Sequence, residues 1–175
     1  MKPTDIHSGL TAERVREVLD YEPETGVLRW RKARRDVVGK AAGSNNGYGY
    51  VILRVDAHRY LAHRLVWLYM YGEWPAKDID HINGQRDDNR IANLRDVSRQ
   101  VNMQNRHNAP RPSIPSPFNT GLLGTYFCRK RRVFVAQIQD PVTGKRKNLG
   151  LYPTAEKAHA VYLEAKRRMH EGNTL

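Results

Sequence analysis

Cysteine is almost missing from this 175-residue chain: Cys128 stands alone, which excludes an internal disulfide and any cysteine-rich zinc site. Long apolar runs are missing too. The longest, Leu65 to Tyr71, is seven residues against the roughly 20 that a membrane helix needs. The opening MKPTDIHSGL carries one lysine and no apolar segment, so no secretory leader is expected. Acidic residues are scarce: 18 Asp plus Glu face 30 Lys plus Arg, a formal net charge of +12. Such a surplus attracts polyanions, nucleic acid before an anionic membrane surface, because no segment is both strongly basic and amphipathic. A basic surface with no partner is the other reading of the charge alone. Hydrophobic residues are 39% of the chain, enough for a core, and the length allows one ordinary domain or two small ones. A soluble, cytoplasmic, basic protein is expected.

Prolines mark the organisation. Pro110, Pro112, Pro115 and Pro117 fall within NAPRPSIPSP, and proline both fixes φ and removes an amide donor. Residues 108–117 therefore read as a semi-rigid linker between an N-terminal module, 1–107, and a C-terminal one, 118–175. The charge is denser in the second: residues 118–175 hold 11 basic and 4 acidic residues. Thr11 is a helix N-cap candidate, with Val15, Val18 and Leu19 as one apolar stripe and Pro23 and the Glu24-Thr25-Gly26 turn as the stop. Val27 to Arg31 alternates like a half-buried strand. Residues 39–49, GKAAGSNNGYG, read as a flexible loop; Ala41 after Gly39-Lys40 and the wrong glycine spacing exclude a phosphate loop, so no nucleotide cofactor is expected. Tyr50–Val55 and Arg59–Ala62 form a hairpin pattern, and 63–71 a buried helix closed by Gly72 and Pro75.

The chemistry concentrates in residues 78–106, DIDHINGQRDDNRIANLRDVSRQVNMQNR. The pattern is strand, polar loop, returning strand from Asn93 to Val97, then a helix from Ser98 through Asn102 and Asn105. Phosphodiester hydrolysis needs a base for water, a cation for the phosphate, and a group that orients the base. Histidine suits the base because it titrates near neutrality. A carboxylate and an amide oxygen suit Mg²⁺. Asp80 and His81, adjacent on a strand, point to opposite faces, so the strand must end or twist at this pair if both are to serve one reaction.

These residues resemble the HNH endonucleases of the ββα-metal type, especially the phage and intron-encoded homing branch. The resemblance covers roughly residues 20–107. It rests on His63-Arg64-Leu65-Val66-Trp67, Asp80-His81-Ile82-Asn83-Gly84, Asn89-Arg90, Asn93-Leu94-Arg95 and Asn102 with Asn105-Arg106, and on intervals of twelve from His81 to Asn93 and nine from Asn93 to Asn102. It implies a ββα-metal core at about 62–107, His81 as general base, Asn93 as the residue that orients the imidazole, and Asp80 and Asn102 as metal ligands. Asn102, where other branches have histidine, implies Mg²⁺ or Mn²⁺ over zinc. His63 is expected to be structural, and His58 and His107 to be surface or phosphate contacts. Asp87 and Asp88 are expected to keep the loop solvated. Arg34, Arg35, Arg95, Arg99 and Arg106 are candidates for phosphate contacts or for a solvated face.

Beyond the linker the alternation predicts three strands, with Thr125 to Lys130 as the first, Phe134 to Gln139 as the second and Arg146 to Leu151 as the third. Asp140 to Gly144 is a turn, Thr154 caps a helix with Ala158, Val161, Tyr162, Ala165 and Met169 on one face, and Gly172 stops it. The sheet face away from that helix would present Tyr126, Lys130, Gln137, Gln139, Arg146 and Asn148, side chains able to read a major groove. This segment resembles the AP2 (ERF-type) DNA-binding domain over roughly 120–172, on Gly124, Ala136-Gln137-Ile138, Asp140-Pro141, Leu149-Gly150 and Thr154-Ala155-Glu156 with Ala158. It departs at Tyr126, where an arginine is expected, and Phe134 and Asn148 stand at usual aromatic sites. A plant recognition sequence is therefore not implied.

The expectation is an α+β chain: a nuclease module followed by a small sheet with one helix. Its function would be metal-dependent cleavage of double-stranded DNA, of a nicking or homing type, in a bacterium or phage-infected host. One site per chain cuts one strand, so a monomer nicks and a double-strand break needs a dimer or sequential events; a monomer or weak dimer is expected. The alternatives are a catalytically silent AP2-type regulator and a low-specificity HNH nuclease in restriction or packaging.

Overall fold

Thr11 opens the first helix as the capping rule requires: its side-chain oxygen accepts from the Arg14 backbone N–H at 3.3 Å. In the computed structural model, which describes residues 9–105, 120–170 and 172–174, this helix (α1) is Ala12–Val18. It ends sooner than the apolar stripe predicts. Leu19 leaves the helix and starts strand β1, Leu19–Glu22, which pairs antiparallel with β2, Val27–Trp30. A stripe at 15, 18 and 19 fits either assignment of Leu19, and the tight turn at Glu22–Gly26 favours the strand; there the Gly26 N–H donates to the Glu22 carbonyl at 2.8 Å. Residues 39–49 are more ordered than a flexible loop. Ala41 bridges Arg29, and Ser44–Asn45 form a short strand, β3. The Asn45 and Asn46 side chains accept from the backbone N–H groups of Gly47, Tyr48, Gly49 and Tyr50.

Strand β4, Val51–Val55, pairs with β3 and with β5, His58–Leu61. Helix α2, Ala62–Tyr71, follows and stops at Gly72 in the left-handed conformation. Then come β6, Asp78–His81, a 3-10 turn at Ile91–Asn93, and β7, Leu94–Val97. The β6–β7 register sets Asp80 opposite Arg95 and His81 opposite Leu94. One core joins these elements, with Val15, Leu19, Leu65, Val66 and Leu68 nearly or fully buried. Each such side chain contributes about 1.5–3 kcal/mol of burial.

The chain divides into two compact units, 1–98 and 99–175. The proline-rich stretch 108–117, with Arg106 and His107, lies outside the described residues. In the second unit, α3 is Arg99–Gln104, and β8 Thr125–Cys128, β9 Val133–Gln139 and β10 Arg146–Tyr152 form an antiparallel sheet in the order β10-β9-β8. Helix α4, Ala155–Met169, is capped by Thr154 and buries Ala158, Tyr162 and Ala165, with Ile138 and Leu123 in the same core. It ends before Gly172, which has another task. The Gly172 N–H donates to Gln104 Oε1 at 3.0 Å, and a Cβ there would meet the Val101 carbonyl oxygen at 2.2 Å. The Thr174 hydroxyl donates to Asn105 Oδ1, and Gln100 Nε2 donates to the Pro141 carbonyl at 2.7 Å. The end of the chain is thus strapped to α3.

The outcome is a mixed α+β protein of small antiparallel sheets with four α-helices among the described residues. No described helix is long and apolar enough to cross a membrane.

Candidate active site

Strand β6 delivers two titratable side chains, Asp80 and His81, and then stops. Alternation sends Asp80 and His81 to opposite faces, and both end up buried, 6% and 5% exposed. On one face, Arg95 Nε and Nη2 donate to Asp80 Oδ2 at 2.9 and 2.7 Å. Arg95 is therefore not a simple solvent-facing arginine: its cross-strand position makes it the partner of a buried carboxylate. On the other face, the His81 ring packs edge-on against His63, with 5.0 Å between centroids, and lies 6.0 Å from Tyr50. Burial lowers the His81 pKa from its ordinary value, so the imidazole is neutral and able to take a proton near pH 7. Burial, reinforced by the His81 ring, pushes His63 down to about 3. A histidine so held is a neutral packing partner, which fits the structural part expected of it.

Asn93 does not hold the imidazole. Its Oδ1 accepts from the Asn83 backbone N–H at 2.9 Å, and its Nδ2 donates to Asn83 Oδ1 at 3.0 Å and to the Asp88 carbonyl at 2.8 Å. The side chain sits under the 83–88 loop and ties it to the start of β7. Asn89 Oδ1, in contrast, lies within hydrogen-bonding reach of His81 Nε2, at 3.3 Å. Asn89 lies in the motif that the sequence singles out, yet a polar run gives no sign that it is buried.

Asp88 is likewise more than a solvated loop residue. Its carboxylate accepts from Arg90 Nε and Nη2 at 2.8 and 2.6 Å and from Asn83 Nδ2 at 2.6 Å. The Arg90 guanidinium, with the Arg90 backbone N–H and Asn83, holds the carboxyl down to about 2 from an ordinary 3.8. A depressed carboxyl stabilises the fold fully above its unfolded pKa and loses that contribution as pH falls through the folded one. The loop is thus expected to loosen between about pH 4 and pH 2. Melting temperatures of Asp88→Asn across that window should lack this acid-sensitive component; an unchanged pH dependence would remove Asp88 from the account.

Asn102, the other expected ligand, lies on α3 in the second unit. Among the described residues, no group of three or more His, Cys, Asp or Glu side chains is gathered to hold a metal ion. A buried carboxylate such as Asp80 is the kind of oxygen donor that suits a hard cation, whose remaining ligands are commonly water and substrate phosphate.

In the second unit the β-register puts Tyr126, Gln137, Gln139, Arg146 and Asn148 on one sheet face. Lys130 is not among them: β8 ends at Cys128, and the chain reverses through a turn in which Arg132 has φ 53°. Two of the amides also have local duties. Gln139 Nε2 donates to the Gly144 carbonyl at 3.1 Å, and Asn148 Oδ1 accepts from the Gly150 N–H at 2.9 Å, at the β-bulge. Of the outlying candidates, His58 is exposed, with Nδ1 2.9 Å from the Asp56 carbonyl, and Arg34, Arg35 and Arg99 are exposed.

A search of curated proteins returned no match, and neither did a search of solved structures. Residues 60–104 match the family model of the HNH endonucleases, a span that contains Asp80, His81, Asn89, Asn93 and Asn102 and that supports a nuclease acting on DNA.

Proposed function

We propose that the chain is a metal-dependent DNA endonuclease of the nicking or homing type, acting in a bacterial cell or phage-infected host. The observation that carries this reading is His81: a buried, neutral imidazole at the end of β6, next to a buried carboxylate, inside the segment that matches the HNH endonucleases. His81 takes the proton from the water that attacks phosphorus, as a P–O bond of the DNA backbone breaks. Asn93 keeps the loop after β6 in place beneath it. Asp80 and Asn102 are the residues that would hold a Mg²⁺ or Mn²⁺ ion, which when bound neutralises charge on the phosphate. Arg95, bonded to it across the strands, keeps the Asp80 carboxylate aimed. One such site per chain cuts one strand, so a monomer nicks.

The second unit is the addressing element in this proposal, an AP2-like module that lays its sheet in a major groove. Tyr126, Gln137 and Arg146 are the foremost readers, Gln139 and Asn148 having turn and bulge to brace. Arg146→Ala with Gln137→Ala is expected to weaken binding to the preferred site by about 1–3 kcal/mol per lost base contact and to leave random-sequence binding much less affected. Fluorescence anisotropy on both DNAs checks this, and equal losses on the two would take base reading away from the sheet. Incubation of supercoiled plasmid with protein and Mg²⁺ tests the activity itself. Conversion to the open circle is expected. Plasmid that stays supercoiled would leave a binding protein only.

A further inference from the structure

Asn89 sits in the most polar run of the chain and is nonetheless 3% exposed. Its Oδ1 can only accept, so a hydrogen bond across the 3.3 Å contact requires the hydrogen of the His81 imidazole on Nε2 and the lone pair on Nδ1. Three ties fix Asn89 itself. The Tyr21 hydroxyl donates to its carbonyl at 3.0 Å and accepts from the Ile91 N–H at 2.9 Å, bridging the loop from β1. The Asn89 N–H donates to the Asp87 carbonyl at 3.1 Å. Gly26, at φ +76° in the β1–β2 turn, presses so close that a Cβ would stand 2.4 Å from the Arg90 nitrogen and 2.6 Å from the Asn89 carbonyl carbon. The N-terminal hairpin, outside the matched segment 60–104, is therefore the seat on which this loop rests.

We propose that Asn89 is a positioning residue for His81, and that the β1–β2 hairpin holds it there through Tyr21. The proposal rests on the nuclease reading above. An imidazole has two tautomers and two ring orientations, and only one combination points a lone pair at the water. The ring contacts with His63 and Tyr50 are compatible with either tautomer, whereas an acceptor at Nε2 selects one.

The test uses the full-length protein on supercoiled plasmid with Mg²⁺, comparing wild type, His81→Ala, Asn89→Leu, Asn89→Asp and Tyr21→Phe, with the His81 tautomer read by two-bond ¹H–¹⁵N correlation. Asn89→Leu is expected to lower kcat by about 10–100-fold with little change in KM, the range typical of a lost orienting partner. Asn89→Asp, which keeps an acceptor oxygen in place, should recover most of that loss, and Tyr21→Phe should lower kcat by a smaller factor. Wild type should show the Nε2–H tautomer and Asn89→Leu a mixture. The proposal is overturned if Asn89→Leu turns over like wild type, if Asn89→Asp is as slow as Asn89→Leu, or if wild type carries its hydrogen on Nδ1. Should Asn89→Leu fail to melt cooperatively, Tyr21→Phe and the wild-type tautomer still decide. Wild type and His81→Ala behaving alike on plasmid would remove the nuclease reading, while the tautomer would still report whether Asn89 grips the ring.

Discussion

Replacing His81 with alanine is expected to slow nicking by about 10²–10⁴-fold, the usual share of a general base, while plasmid affinity changes little. The ring is buried against His63 and Tyr50, so on the proposed reading its loss removes proton transfer and leaves exposed phosphate contacts elsewhere in place. Alanine also leaves a cavity among those rings, which costs stability. Melting curves taken beside single-turnover rates separate the two effects: an unfolded variant would lose binding and cleavage together. A folded variant that nicks at wild-type speed would end the assignment of His81 as the base.

Gly124→Ala is expected to be the most damaging small substitution in the second unit. A Cβ there would stand 1.9 Å from Tyr162 Cδ2 and 2.2 Å from Cγ, inside the ring's own volume, and φ at this position is +71°. Tyr162 is buried with Leu123, Ile138 and Ala165 and has little room to retreat, and the Gly124 carbonyl accepts from the Gln137 N–H at 2.8 Å. Left-handed backbone costs a non-glycine residue roughly 1–2 kcal/mol, and forced overpacking about 1–3 more. A loss on the order of 3 kcal/mol is a large part of the stability of so small a unit. Gly121→Ala is the control, because its φ of +65° imposes the backbone cost while a Cβ there meets nothing within 4 Å. Thermal denaturation should place Gly121→Ala well above Gly124→Ala; equal melting temperatures would mean that Tyr162 yields freely.

The placement of Asp80 and His81 was legible because it is local. Asp80 and His81 are neighbours in sequence, and alternation along a strand dictates their opposite faces whatever surrounds them. Helix caps at Thr11 and Thr154 were legible for the same reason, each being a bond across three residues. What escaped depends on distant partners. Nothing in QRDDNR separates the buried Asn89 from the exposed Asp87 beside it; Tyr21, from a hairpin far upstream, and Gly26 make that difference. Asn93 stands out in the sequence, but its bonds run to Asn83 and Asp88, a choice set by how the loop folds back. Leu19 could close a helix or open a strand on pattern alone, and pairing with Trp30 decided it. Lys130 extended an alternation that the reversal at Arg132 cuts short.

The strap from the chain's end has a practical consequence for anyone recombining such proteins. Gly172 and Thr174 bind the helix at 99–104 and the Asn105 that follows it, so that helix travels with the sheet it is bound to. A chimaera spliced at 108–117 would hand Asn102 to one parent and its fastening to the other, and Gly172, with no space for even a methyl group against Val101, leaves a foreign terminus little chance of fitting. A graft joined ahead of Arg99 keeps fastening and helix as one heirloom.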